Sequence, residues 1–140
     1  MDLKQRKILP RGALVLIMHT CEIPDGNAWS REIGIAALNV LASQDLMGAL
    51  AYTGQGDDWL YKLQPVGDKH LMRLALSRTD IGDMPAVQPT MQKAYDALVA
   101  ADAAVKRMVL ISDGDPSPPT RGLLQNCVDA KIAVSTVCIS

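Results

Sequence analysis

The stretch LVLIMHTCEIPDG, residues 14–26, begins as an apolar run and then changes abruptly to polar chemistry. Together with Ala13 its first part has the length of a strand, and a continuous apolar run is typical of a central strand covered on both faces. Histidine, cysteine, two carboxylates and a Pro-Asp-Gly turn follow at once. We therefore predict a first strand over residues 13–18 whose end carries a group of coordinating side chains.

Beyond this stretch the chain alternates between helical and strand patterns. Caps are expected at Asn27 or Ser30 for the first helix, at Asp68 for the second and at Thr120 for the last. Apolar spacing places Trp29 on the inner face of the first helix, and Leu71, Leu74 and Ala75 on that of the second. We predict these further elements: a helix over 28–43, a hairpin of strands 46–53 and 59–64, a short helix over 68–78, an irregular loop over 79–89, a helix over 90–105, a strand over 107–112, a helix after residue 120 and a strand over 132–139.

This alternation of strands and helices predicts the fold class. It implies right-handed crossovers between parallel strands, with helices on both faces of the sheet. We therefore expect a doubly wound α/β fold, Rossmann-like, with a mostly parallel sheet and one antiparallel edge strand, 59–64. Ligands of such sheets bind beyond the carboxyl ends of the strands. The loops over 19–27 and 113–120 both follow buried strands, so we expect them to be neighbours in space.

Composition narrows the class of partner. The 140 residues include 14 basic and 15 acidic side chains, for a net charge of −1. No basic stripe is present that would follow a phosphate backbone, so nucleic acid is not an expected partner. No apolar run is long enough to span a bilayer, and we expect a soluble domain that makes no membrane contact of its own. The three cysteines lack a CxxC pair, which argues against a disulfide framework or a zinc ribbon.

The element order and several segments resemble the von Willebrand factor type A (VWA) domain family. The resemblance runs from Gly12 onward and rests on ALVLIMHT, REIGIAALNVLASQDLMGALAY, KRMVLISDGDPSPP and AKIAVSTVCIS. Within that family the chain is most similar to VWA modules of large bacterial proteins that are often membrane-anchored and frequently glutamine amidotransferase-like. We therefore expect residues 1–12 to be a linker or tag-adjacent segment. Residues 13–140 are expected to form a VWA-like domain without its last helix, a fragment of a longer protein.

The resemblance also implies where a metal-ion-dependent adhesion site would lie. Such a site is built from Asp-x-Ser-x-Ser after the first strand, a threonine in a later loop and an aspartate after the fourth strand. In this chain His19, Cys21 and Ile23 stand at the three first-loop positions, and Met84 stands near that of the threonine. Asp113 alone matches the motif. Because Mg²⁺ prefers six oxygen ligands, the resemblance implies a degenerate site that does not bind Mg²⁺.

Three hypotheses remain open for the end of the first strand. Imidazole and thiolate ligands favour Zn²⁺ or a similar transition ion over Mg²⁺, whereas carboxylates alone would suit a hard cation. The hypotheses are a metal-free polar cluster of His19, Cys21 and Asp113; a residual divalent cation site with oxygens from Asp113, Asp115, Asp83 or Glu22; and a transition-metal site of His19, Cys21 and Asp113.

We interpret the chain as a non-enzymatic protein-interaction module, for adhesion or scaffolding, within a larger bacterial protein of the membrane or cell envelope. No catalytic residue and no cofactor are assigned, and the protein partner is unidentified. The alternative is a domain of an amidotransferase or thiol-hydrolase-type enzyme in which Cys21 and His19 form the site. No oxyanion hole is recognisable next to Cys21, which favours the first interpretation. The predicted binding face comprises His19, Thr20, Cys21, Glu22, Asp25, Asp83, Asp113, Asp115 and Ser117.

Overall fold

The computed structural model describes residues 11–19, 24–52, 54, 56–79 and 82–139. The predicted linker over residues 1–12 lies almost entirely outside these residues. Among the described helices, none is long and apolar enough to cross a membrane. The described elements are β1 (Gly12–Met18), α1 (Pro24–Val40), β2 (Leu46–Tyr52), β3 (Asp57–Pro65), α2 (Lys69–Ser77), α3 (Gln88–Ala100), β4 (Val105–Ser112), α4 (Arg121–Asp129) and β5 (Ile132–Cys138).

The described strands form one sheet in the order β3-β2-β1-β4-β5. β1 pairs in parallel with β2 and with β4, and β4 pairs in parallel with β5. Of these strands only β3 runs antiparallel, at one edge, where it pairs with β2. The predicted doubly wound α/β fold with one antiparallel edge strand is therefore confirmed, and β1 is its central strand.

The side chains of β1 alternate between two hydrophobic clusters, one on each face of the sheet. Val15 and Ile17 belong to a cluster with buried residues of α3 and α4. Leu16 and Met18 belong to the other, with buried residues of α1 and α2. A central strand with apolar side chains on both faces is what a continuous apolar run predicts. The described helices α3 and α4 thus cover one face of the sheet, and α1 and α2 cover the other.

Two of the predicted helix caps are confirmed. The Asp68 side chain accepts a hydrogen bond from the backbone N–H of His70 at the start of α2. Thr120 does the same for Leu123 at the start of α4. The predicted cap of the first helix is wrong: α1 begins at Pro24, so Asn27 lies inside it. Proline is well suited to a first helical turn because the N–H it lacks would have had no partner there.

The inner faces of α1 and α2 also differ from the predicted stripes. Trp29 is 63% exposed, and α1 instead buries Gly34 and Leu38. A Cβ built on Gly34 would lie 3.3 Å from the Leu76 side chain, so glycine allows α1 to lie close against α2. Leu71 and Leu74 of α2 are exposed, while Met72 and Leu76 are buried together with Ala75, whose predicted burial is confirmed. The close approach of the two helices, and not apolarity alone, decides which residues are covered.

Candidate functional site

His19 lies at the carboxyl edge of the sheet because β1 ends immediately before it. Its backbone N–H donates to the carbonyl oxygen of Ile111 at 2.9 Å, which continues the β1–β4 pairing by one residue. This register places His19 beside the end of β4, next to Ser112 and Asp113. The His19 side chain is only 1% exposed. The expected proximity of the two loops is therefore confirmed for His19, the first residue after β1, whereas residues 20–23 lie outside the described part of the chain.

One ring nitrogen of His19 faces the end of β4. Nδ1 lies 3.1 Å from Oδ1 of Asp113 and 3.2 Å from Oγ of Ser112. A carboxylate can only accept a hydrogen bond, so Asp113 favours the tautomer in which Nδ1 carries the proton. In that tautomer Nε2 presents a lone pair on the opposite side of the ring.

The other ring nitrogen faces two further carboxylates. Nε2 of His19 lies 4.0 Å from Oδ1 of Asp83 and 3.8 Å from Oδ1 of Asp115. Both distances exceed the range of a hydrogen bond, and Nε2 is buried without a hydrogen-bond partner. These three ligand atoms all lie within 4.8 Å of one another. The ring is thus fixed by Asp113 on one side and faces a pair of carboxylates on the other.

The neighbours of Asp115 affect its pKa. The pKa of Asp115 is raised by its side-chain hydrogen bond with Asp113, and further by desolvation and by the negative charges of Asp113 and Asp83. Charge on His19 acts in the opposite direction. The side chains of Asp83 and Asp115 are 63% and 65% exposed, whereas that of Asp113 is 24% exposed. The negative charge of Asp115 is therefore disfavoured by its two acidic neighbours.

Two loops that carry these aspartates are joined by backbone hydrogen bonds. Ala86 and Ser117 form an isolated parallel bridge. Around it the N–H of Val87 donates to the carbonyl of Ser117 at 3.0 Å, and the N–H of Ser117 donates to that of Pro85 at 3.0 Å. Asp83 lies three residues before Ala86, and Asp115 lies two residues before Ser117. The backbone positions from which the two aspartates extend are thus held close to each other.

The turn after β4 sets the direction of Asp115. Gly114 has a φ of 97°, a conformation that glycine adopts readily and other residues rarely do. Its N–H donates to Oγ of Ser112 at 3.0 Å, and the N–H of Asp115 donates to Oδ1 of Asp113 at 3.2 Å. Because of this turn, Asp113 and Asp115 both approach the same imidazole from one loop.

The predicted face is brought together in part. We define the carboxyl-end face as His19, Asp83, Asp113, Asp115 and Ser117, and the bridge of Ser117 places that residue at its rim. Asp25 lies in the first turn of α1. The participation of Thr20, Cys21 and Glu22 stays a prediction, since these three lie outside the described residues.

Sequence reasoning did not assign Ser112, whose hydroxyl contacts the imidazole. The register of β1 and β4 could have indicated Ser112. Met18 is paired with Ile111, so the next residues of the two strands, His19 and Ser112, are neighbours.

The donor set around His19 differs from the all-oxygen set of the adhesion-site motif described above. An imidazole nitrogen occupies the position of a carboxylate, and Mg²⁺ prefers an octahedron of oxygens. Met84, near the position of the expected threonine, is 1% exposed and packs in the core cluster of α3 and α4. Thr90 is also buried, and its hydroxyl bonds to Asp57. Among the described residues, Asp113 keeps a carboxylate at its motif position, whereas His19 and Met84 offer no side-chain oxygen at theirs.

No protein-family model matches the sequence, and no curated protein matches it. Solved structures do match. A von Willebrand factor type A protein from Catenulispora acidiphila superposes with a TM-score of 0.72 at 18% identity, over 91% of this chain and 32% of that one. An aerotolerance-related membrane protein from Bacteroides fragilis gives 0.74 at 10% identity, over 91% of this chain and 67% of that one.

A third match is the vWF domain of a type V pili tip protein from Porphyromonas gingivalis. Its TM-score is 0.59 at 13% identity, over 75% of this chain and 38% of that one. The chain thus spans about a third of the length of the first of these matches. Sequence identities are low throughout, and the likeness is one of architecture. This chain has the fold of a von Willebrand factor type A domain.

Proposed function

We propose that this domain is a non-catalytic protein-interaction module and that its binding surface is the carboxyl-end face. One observation carries the proposal: three carboxylates from two loops converge on a single buried imidazole, and the loops are held together by the Ala86–Ser117 bridge. Charged groups held on a fixed backbone present a pattern that a partner can recognise without first ordering the loops.

The chemistry of the face indicates the chemistry of the partner. Its ionisable groups in the described residues are His19 and the carboxylates of Asp83, Asp113 and Asp115, so a complementary surface would present lysine or arginine. Arginine suits such a face particularly well because its guanidinium can pair with two carboxylate oxygens at once. Binding in this proposal needs no Mg²⁺ bridge, because a lysine or arginine of the partner would pair with the carboxylates directly.

Two further points support an interaction role over catalysis. The Nε2 atom of His19 is buried, so it is poorly placed to exchange protons with a large substrate. One of the matching solved structures belongs to a pili tip protein and another to a membrane protein. We therefore include in the proposal that the domain serves adhesion or scaffolding within a larger bacterial protein of the membrane or cell envelope.

Selection from a random peptide display library tests the proposal and does not require the partner to be identified first. Peptides selected on the wild-type chain are then measured against Asp83→Asn/Asp115→Asn and against Asp102→Asn. Asp102 is an exposed residue before β4, at the opposite edge of the sheet, and is the matched control. We expect the selected peptides to be rich in lysine or arginine, to lose at least about tenfold in affinity for the double variant (~1.4 kcal/mol), and to bind the control normally. Chelation by EDTA should not abolish their binding.

Two outcomes would contradict the proposal. Peptides that bind the double variant as well as the wild type would place recognition on another surface. Rapid alkylation of Cys21 by iodoacetamide at neutral pH would indicate a reactive thiolate and would favour the thiol-hydrolase alternative.

A further inference from the structure

The orphaned nitrogen of His19 is the unusual feature of the carboxyl-end face. A buried ring nitrogen normally has a hydrogen-bond partner. Nε2 is buried and has none, while its side of the ring faces Asp83 and Asp115 at distances too long for hydrogen bonds. An acidic cluster alone would indicate little. A buried imidazole nitrogen aimed into that cluster indicates that something is bound between them.

The tautomer of His19 indicates that a ligand bound between Nε2 and the two carboxylates would be positively charged. With the proton held on Nδ1 by Asp113, Nε2 presents a lone pair to two carboxylates. Three electron-rich groups that face one another repel unless a cation lies among them. A carboxylate that holds the far N–H of an imidazole is also the usual support of a metal-bound histidine, since it orients the ring and raises its basicity.

The distances fit a small ion after a minor adjustment. Zn²⁺ binds imidazole nitrogen and carboxylate oxygen at about 2.0–2.2 Å in a tetrahedron, which places the ligand atoms roughly 3.3–3.5 Å apart. The corresponding separations from Nε2 are 4.0 Å to Asp83 and 3.8 Å to Asp115. Both aspartate side chains are more than half exposed and can rotate inward by the remaining half ångström or so, while the backbone between them is already fixed by the Ala86–Ser117 bridge.

We propose that Nε2 of His19 and one carboxylate oxygen each from Asp83 and Asp115 bind a divalent transition ion of the Zn²⁺ type, with Asp113 as the residue that orients the imidazole. Mixed nitrogen and oxygen ligands favour such an ion over Mg²⁺. The fourth position is left for water. Three carboxylates and one dication leave a single negative charge, so the face stays acidic. This inference rests on the geometry of the cluster and not on the proposed function.

Titration of the metal-free 140-residue chain tests the site directly. Calorimetry with Zn²⁺, Co²⁺ and Mg²⁺ should give one Zn²⁺ and one Co²⁺ per chain, both much tighter than Mg²⁺. Bound Co²⁺ should show the intense visible absorption of a tetrahedral complex. X-ray absorption at the zinc edge should give a first shell of nitrogen and oxygen at about 2.0–2.1 Å, without sulfur.

Variants assign the ligands. Asp83→Asn and Asp115→Asn replace exposed side chains and so should leave the fold intact, and each should weaken Zn²⁺ binding by more than the loss seen for Asp113→Asn. For Asp113→Asn, which removes the carboxylate that orients the ring but no proposed ligand, we expect a loss of about 10- to 100-fold. Asp102→Asn and His70→Gln should bind Zn²⁺ as the wild type does, since Asp102 and His70 are exposed residues.

Each contrary result is decisive. Equal Zn²⁺ affinity in the wild type and in both Asp83→Asn and Asp115→Asn would overturn the site. A sulfur atom in the zinc shell would assign the ion to a cysteine instead. Mg²⁺ binding as tight as Zn²⁺ binding would contradict the ligand chemistry.

Discussion

Replacement of Gly48 by alanine should destabilise the sheet, because β3 crosses β2 closely at this glycine. A Cβ at Gly48 would lie 2.8 Å from Cζ3 of Trp59 and 2.9 Å from the backbone nitrogen of Leu63. Ordinary van der Waals contacts of a Cβ begin near 3.4 Å. The Trp59 ring can move aside, but the Leu63 contact involves backbone, so β3 itself must shift. The register of β2 and β3 changes on both sides of Ala49, so the pairing is already irregular here.

The expected cost follows from these contacts. Overpacking of this kind costs about 1–3 kcal/mol, and the lower unfolded-state entropy of alanine offsets up to about 1 kcal/mol of it. A net loss of about 1–2 kcal/mol should lower the melting temperature by roughly 3–8 °C for a chain of this size. Gly67→Ala is the matched control, because nothing lies within 4 Å of its Cβ and its φ is not in the left-handed range. Scanning calorimetry of both variants measures the difference. If they melted at the same temperature, the close approach of β3 to Gly48 would be refuted.

Three further predictions concern a cap, a thiol and a carboxylate. Thr120→Ala should lose about 0.5–2 kcal/mol of unfolding free energy in urea, because the cap to Leu123 is lost; Thr120→Ser should keep most of it, and equal losses would argue against the cap. Burial raises the pKa of the Cys127 thiol, so iodoacetamide at neutral pH should modify exposed Cys138 well before Cys127; peptide mass spectrometry reads out the order, which should disappear in denaturant. Because the pKa of Asp115 is raised, the folded protein binds the proton of this carboxyl group more tightly than the unfolded chain does. Protonation of Asp115 therefore stabilises the fold in acid, and this stabilisation is lost as the pH rises through the folded-state pKa. In EDTA, Asp115→Asn should therefore melt above the wild type at neutral pH and lose that advantage in acid, and a lower melting temperature at neutral pH would speak against the repulsion.

Local patterns predicted the sheet well and the helix faces less well. β1 was recognisable because a central strand must be apolar on both faces, and the caps Asp68 and Thr120 because a cap depends on neighbours in sequence. The buried face of α1 was not recognisable. Its inner positions include Gly34, which allows the close approach of Leu76, and a pattern search for apolar residues passes over it.

The candidate site shows the same division. The adjacency of His19 and Asp113 follows from parallel strands that end at one edge, so the sequence could predict it. The approach of Asp83 and Asp115 to Nε2 depends on a backbone contact between distant loops, which no local pattern encodes. The resemblance predicted a degenerate Mg²⁺ site, whereas the surroundings of the imidazole required the structure.

The bridge between Ala86 and Ser117 also constrains how these loops can change in length. Each loop holds its aspartate at a set number of residues from the shared contact, so an insertion or deletion on one side would move one carboxylate away from the imidazole. Both loops become ordered when the chain folds. Ligand binding therefore costs little further conformational entropy in these loops. Two short segments are therefore constrained in length, residues 83–86 and residues 115–117. We expect insertions and deletions in these loops to fall outside both segments.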